Sequence, residues 1–121
     1  MQTGGLNMKK SFLLYCIILA SHHISVAQSH SIDSLRAMLN TAGQDTNRVN
    51  ILNSLSYELL YSDTDTTIYY ATQAKNLSEK LNYSKGSASA YLRLGQAYNN
   101  LGNYDQSEMF LSKALAFSTE S

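Results

Sequence analysis

From residue 31 to the C terminus, apolar positions recur three and four apart, the spacing of one face of an α-helix. Ile32, Leu35 and Leu39 mark a short first stretch over residues 31–42, with Asp33 in its first turn and Gly43 as a stop signal. Val49, Leu52, Leu55, Ser56 and Leu59 mark a second over residues 45–62, for which Asp45 is the expected cap. Ser62-Asp63-Thr64-Asp65-Thr66 reads as a turn, because its side chains bond their own backbone. A third helix runs to Leu81 with Ala71, Ala74, Leu77 and Leu81 on one side, and residues 82–86 break it. A fourth is expected over residues 87–101, with Ala88, Tyr91, Leu94, Gly95 and Tyr98 inward. Gly102-Asn103 turns the chain into a fifth helix ending at Ser118, with Ser107, Leu111, Ala114 and Leu115 inward. The connectors are short, so successive helices are expected to pack as antiparallel neighbours in an all-α fold.

The N-terminal segment follows another pattern. Lys9 and Lys10 precede an apolar run over residues 11–20, and Ser25-Val26-Ala27 places small residues two apart. Positive start, apolar run and small-x-small are the parts of a secretory signal peptide, so residues 1–27 are expected to be removed after Ala27. The run ends at Ser21, His22 and His23, short of the roughly 20 apolar residues of a membrane span. Cys16 lies inside the run behind Tyr15, which does not suit a lipidation site. Either Met1 or Met8 starts the chain. The expected location is the periplasm or cell envelope.

Composition narrows the function. In these 121 residues 9 Lys and Arg balance 9 Asp and Glu, so no basic surplus exists to hold nucleic acid. Pro and Trp are absent and Gly is scarce, which suits helices. After cleavage His30 is the one His left and no Cys remains, so nucleophile–His catalysis and His or Cys metal sites lack material. Asp63 and Asp65 lack the further carboxylates and the Gly spacing of a calcium loop. Asn76-Leu77-Ser78 and Asn82-Tyr83-Ser84 fit the glycosylation triplet, the first inside an expected helix. No enzyme, cofactor or metal is expected.

The helices repeat. Ser56 and Gly95 are 39 apart, as are Leu59 and Tyr98, and Ala74 and Ala114 are 40 apart. Such a period signals a stacked helical array. Residues 90–115 resemble a tetratricopeptide repeat (TPR). Tyr91, Leu94, Gly95 and Tyr98 stand at that family's first-helix positions, and Gly102-Asn103-Tyr104-Asp105 matches its turn. Ser107, Leu111, Ala114 and Leu115 answer in the second helix, with Ser107 replacing the usual Ala and Thr119 standing where many copies have Pro. An earlier copy is degenerate: Leu52, Leu55, Ser56, Leu59 and Ala74 fill its places, but its turn lacks Gly and Tyr and is one residue short. Residues 81–86 resemble the linker of the roughly 40-residue repeat variant. The organisation read here is a signal peptide (1–27), a short leading helix and linker (28–44), and a helix-pair solenoid (45–121) split into a degenerate repeat (45–84) and a clear one (85–121).

The resemblance implies a binding function. Arrays of this family hold peptides or proteins on a concave face built from their first helices. On the fourth helix the residues off the packing face are Ser89, Leu92, Gln96, Asn99 and Asn100; on the second they are near Asn50, Asn53, Tyr57, Leu60 and Tyr61. Amides and tyrosines suit backbone hydrogen bonds and flat apolar contact. The family's clamp for a terminal carboxylate is not expected, because Leu92 stands where its Lys belongs and only Arg93 is basic nearby. Two functions stay open: an exported protein- or peptide-binding module at the input or scaffold end of a larger envelope signalling protein, or a purely structural, self-associating envelope scaffold. Membrane contact is expected only through the signal or a segment beyond this chain. Met109, Phe110, Leu111, Leu115 and Phe117 crowd the last helix, which is therefore expected to be covered by further repeats or by another copy.

Overall fold

The computed structural model describes the backbone of residues 3–120 and the side chains of residues 9–17 and 31–120. Among these, the chain forms α1 (Thr3–Thr41), α2 (Thr46–Leu59), α3 (Thr64–Lys80), α4 (Ser84–Asn100) and α5 (Tyr104–Thr119), with no strand. It divides into two compact units, Met1–Asp33 and Ser34–Ser121. In the first, residues 9–17 are exposed all round, Cys16 included. The side chains of Ser25, Val26, Ala27 and His30 lie outside the described residues. No helix among the described residues is long and apolar enough to cross a membrane. The short leading helix expected over residues 31–42 is the end of the 39-residue α1; no Gly or Pro interrupts residues 6–42 to end the helix sooner.

In the second unit the helix ends follow from local chemistry. Asp45 accepts the Arg48 N–H at 3.1 Å, Asp63 accepts the Thr66 N–H at 3.0 Å, and Asn103 accepts the Gln106 N–H at 3.3 Å, each filling an orphan donor of a first turn. α3 and α4 end alike. Tyr83 N–H reaches back to the Ser78 carbonyl at 2.8 Å, and Asn103 N–H to that of Tyr98 at 2.9 Å. The pivots are Asn82 (φ 51°) and Gly102 (φ 74°), in the left-handed region such a stop requires. The α2–α3 turn is built differently, with Asp63 N–H on the Leu59 carbonyl at 2.8 Å.

α4 begins at Ser84 rather than at Ser87. Asn82 makes the turn alone, so Gly86 is free to enter the helix, where it is buried. A Cβ on Gly86 would come within 2.6 Å of Val49 on α2, so its bare backbone sets how closely the two helices approach.

α2 packs on α3 and α4, α3 on α4, and α4 on α5, as in a solenoid of helix pairs. Val49, Leu52, Ala74, Leu77 and Ala90 form the core, and Leu39 from the end of α1 packs against it with Tyr70 and Tyr83. The expected α2 face is buried throughout, together with Ile51 and Leu60. Small polar residues line the tighter contacts. Ser87 Oγ bonds Ser78 Oγ at 2.9 Å between α4 and α3, and Ser107 Oγ donates to the Gly95 carbonyl at 2.7 Å between α5 and α4.

Some expected inward residues lie outside. Leu81 is partly exposed and Leu115 is 66% exposed, whereas Leu111 keeps one side exposed while its side chain packs against Gly95 as expected. Among the described residues α5 has α4 on one side only, and that contact is made by Ser107, Leu111, Ala114 and two aromatic rings. Phe110 sits 5.3 Å from Tyr98, and Phe117 stacks 5.5 Å from Tyr91.

Candidate functional site

α2 and α4 lie side by side, and their polar flanks bound a groove of roughly 360 Å³. Helical spacing explains which residues reach it. On α2, Asn50, Asn53, Ser54, Tyr57 and Glu58 are three or four apart; on α4, Lys85, Ser89 and Arg93 are four apart. The opposite flanks carry Leu52, Leu55, Ala90 and Leu94 into the core.

The groove's hydrogen bonds are partly spoken for. Tyr83 OH donates to Asn50 Oδ1 at 3.0 Å, joining the α3–α4 turn to α2. Asn53 Nδ2 donates to the Gly86 carbonyl at 3.1 Å, which fixes the orientation of its amide. The Asn53 Oδ1 is buried and has no hydrogen-bond partner among the described residues. A buried acceptor left bare costs free energy.

Arg93 is the groove's main cation. Its guanidinium carbon lies 4.6 Å from the centre of the Tyr57 ring, and its Nη1 donates to Gln96 Oε1 at 2.6 Å. Burial pulls its pKa below the ordinary value, opposed by Tyr57 and Tyr61. The group stays charged at any physiological pH.

The expected groove residues divide. Asn53, Tyr57 and Ser89 line the groove together, with Asn50. Gln96 stands beside it, holding Arg93. Asn100 ties α4 to α2 by donating to the Leu60 carbonyl at 3.1 Å. Leu92 and Asn99 are exposed on α4 outside the lining, as is Tyr61 in the turn after α2, whereas Leu60 is buried. The lining also holds Ser54, Glu58, Lys85 and Arg93. The file Lys85, Ser89, Arg93 was legible as a four-residue spacing, but a helix starting at Ser87 leaves Lys85 in the turn. The extra turn of α4 adds a second cation to the groove.

A second hollow, between α2 and α3, holds Arg48 and Lys80. Arg48 is committed there: its Nη1 donates to the carbonyls of Leu39 at 3.0 Å and Ala42 at 3.2 Å, closing the end of α1. The aromatic cluster behind α4 is structural as well. Tyr91 OH bonds Glu79 on α3, and burial, then that bond, push its pKa up to about 12.

Compared with known proteins, residues 18–114 match the family described as the SusR N-terminal TPR domain. The matched region begins inside the apolar run of the expected signal. No curated protein and no solved structure matches the chain.

Proposed function

We propose, because the chain belongs to the family of SusR N-terminal TPR domains, that its groove between α2 and α4 receives an extended polypeptide segment. Membership gives the general role, a helical-repeat module for protein interaction rather than catalysis. The observation that carries the finer reading is the groove itself, in which Asn53, Tyr57, Ser89 and Arg93 stand together. An extended chain supplies backbone polar groups for the groove's amide and hydroxyl side chains and apolar side chains for the Tyr57 ring. We place this module outside the cytoplasm, at the input or scaffold end of a larger envelope signalling protein. The Lys9–Lys10 start, the apolar run and the family's description as an N-terminal domain support that placement.

The test is binding of a random N-acetylated, C-amidated octapeptide library to the full chain and to its Asn53→Ala and Tyr57→Ala variants. Each variant is expected to lose most of the bound peptide while remaining folded by circular dichroism. Capture unchanged in both would sink the groove reading. N-terminal sequencing of the protein from the envelope fraction tests export, with Gln28 as the expected first residue; an intact Met1 or Met8 on a cytosolic protein would refute it.

The scaffold reading draws on one observation. Tyr104, Leu111 and Leu115 form an exposed apolar file on α5. Forty residues earlier Ala71 and Ser78 are fully buried on α3, which has helices on two sides, whereas Leu111 and Ser118 are exposed. Self-association through α5 would cover the file. Sedimentation equilibrium discriminates: Leu115→Glu should dissociate such an oligomer, and a wild-type monomer at all concentrations removes the scaffold reading.

A further inference from the structure

The two cations of the groove define a pattern. Lys85 and Arg93 are eight residues apart on one face of α4, which is about 12 Å along the helix axis. Neither forms an ion pair, and the one acid in the lining, Glu58, is paired with neither. Arg93 is held in place by the Tyr57 ring and Gln96, so its guanidinium is positioned before any ligand arrives. The neighbouring groups, Asn50, Asn53, Ser54 and Ser89, are neutral.

An extended polypeptide advances about 3.3 Å per residue, and its side chains return to the same face every second residue. Side chains four apart therefore lie on one face about 13 Å from each other, close to the axial rise between Lys85 and Arg93. We infer that the groove selects an acidic segment in which two Asp or Glu side chains, four residues apart, meet Lys85 and Arg93. This inference rests on the reading of the groove as a polypeptide site. It adds the chemistry of the partner and the spacing of its acids.

The experiment uses fluorescein-labelled, C-amidated octapeptides in a Ser/Ala background and the full chain, read by fluorescence polarisation. One peptide carries Glu at positions 2 and 6, one carries Glu at positions 2 and 5, and one carries Gln at positions 2 and 6. The first is expected to bind at least fivefold tighter than the Gln peptide and several-fold tighter than the peptide with its acids on opposite faces. Lys85→Gln and Arg93→Gln should each erase most of that preference. The preference should also shrink between 50 and 500 mM salt, as roughly expected for charge pairing at a surface. Equal binding of the Glu and Gln peptides, both weakened by Asn53→Ala, would overturn the acidic preference and leave the groove standing. Peptide binding that ignores Asn53→Ala and Tyr57→Ala would overturn the groove and this inference together. A free C-terminal carboxylate that binds more tightly than the paired acids would show that the cations read a chain end, and would overturn the inference as well.

Discussion

The hydroxyl of Ser107 donates to the backbone carbonyl of Gly95 at 2.7 Å, and this single contact shows how α5 is seated on α4. Gly95 has no side chain, so α5 comes close enough for a short serine to reach a main-chain oxygen. The usual Ala of the family at position 107 would fill the space without the bond. One turn further along α5, Leu111 occupies the room that Gly95 leaves: a Cβ there would lie 2.6 Å from the Leu111 side chain and 3.3 Å from its backbone nitrogen.

Gly95→Ala should therefore destabilise the protein even though Ala favours helices. Overpacking of this kind costs about 1–3 kcal/mol, against a helix-propensity gain of up to about 1 kcal/mol. Gly95→Leu should cost more. Thermal melts of both variants check this, and an unchanged melting temperature for Gly95→Leu would contradict the packing described. Ser107→Ala should cost about 0.5–1.5 kcal/mol, the net worth of one hydrogen bond.

Asn82 and Gly102 hold equivalent places after α3 and α4, both with positive φ. Asn82→Gly should be neutral or stabilising. Gly102→Ala should cost about 1–2 kcal/mol, because a side chain in the left-handed region crowds the following carbonyl. Nothing lies within 4 Å of a Cβ at Gly102, so that loss would be conformational rather than steric against a neighbour. Urea unfolding of the two variants separates the cases.

Asp63 caps α3, and its hydrogen bonds to the Thr66 hydroxyl and then to the Thr66 N–H hold its pKa below the ordinary 3.8, with Arg36 adding to the effect. A depressed folded-state pKa means stability that is present above 3.8 and is lost as pH falls through the lower folded value. The melting temperature should thus decline below about pH 4 more steeply in the wild type than in Asp63→Asn. Parallel curves would show that the cap carries no pH dependence.

Tyr91 behaves in the opposite sense. Burial and the bond to Glu79 raise its pKa from 10.0 to about 12. Its contribution is complete below pH 10 and is lost as pH rises toward 12. Tyr91→Phe should remove that part of the alkaline loss while keeping the stack with Phe117. Melts between pH 9 and 12, followed by tyrosinate absorbance, decide it.

Much of this protein was legible in the order of its residues. The three-and-four spacing of Val49, Leu52, Leu55 and Leu59, and the matching Tyr91, Leu94, Gly95 and Tyr98, specify amphipathic helices and a repeat of about 40 residues, because burial of one face is a local periodic requirement. Asp45 announces a helix start, because a cap acts within three residues, whereas Asp63 and Asn103 read as turn residues and only the structure shows them capping. The tertiary structure alone decided what depends on partners distant in sequence. Gly86 reads as a helix breaker, yet with Asn82 making the turn it enters α4, and its bare backbone lies against Val49. The earlier start turns Lys85 from a turn residue into the end of a file with Ser89 and Arg93. Asn53 reads as one surface amide among several; its donor is taken by the Gly86 carbonyl and its acceptor is left buried and bare, a state that exists only once α4 lies across α2. Leu115 satisfies the helical pattern as well as Ala114 does, but only Ala114 meets α4. Periodicity locates a face, and the neighbouring helix determines how much of that face is covered.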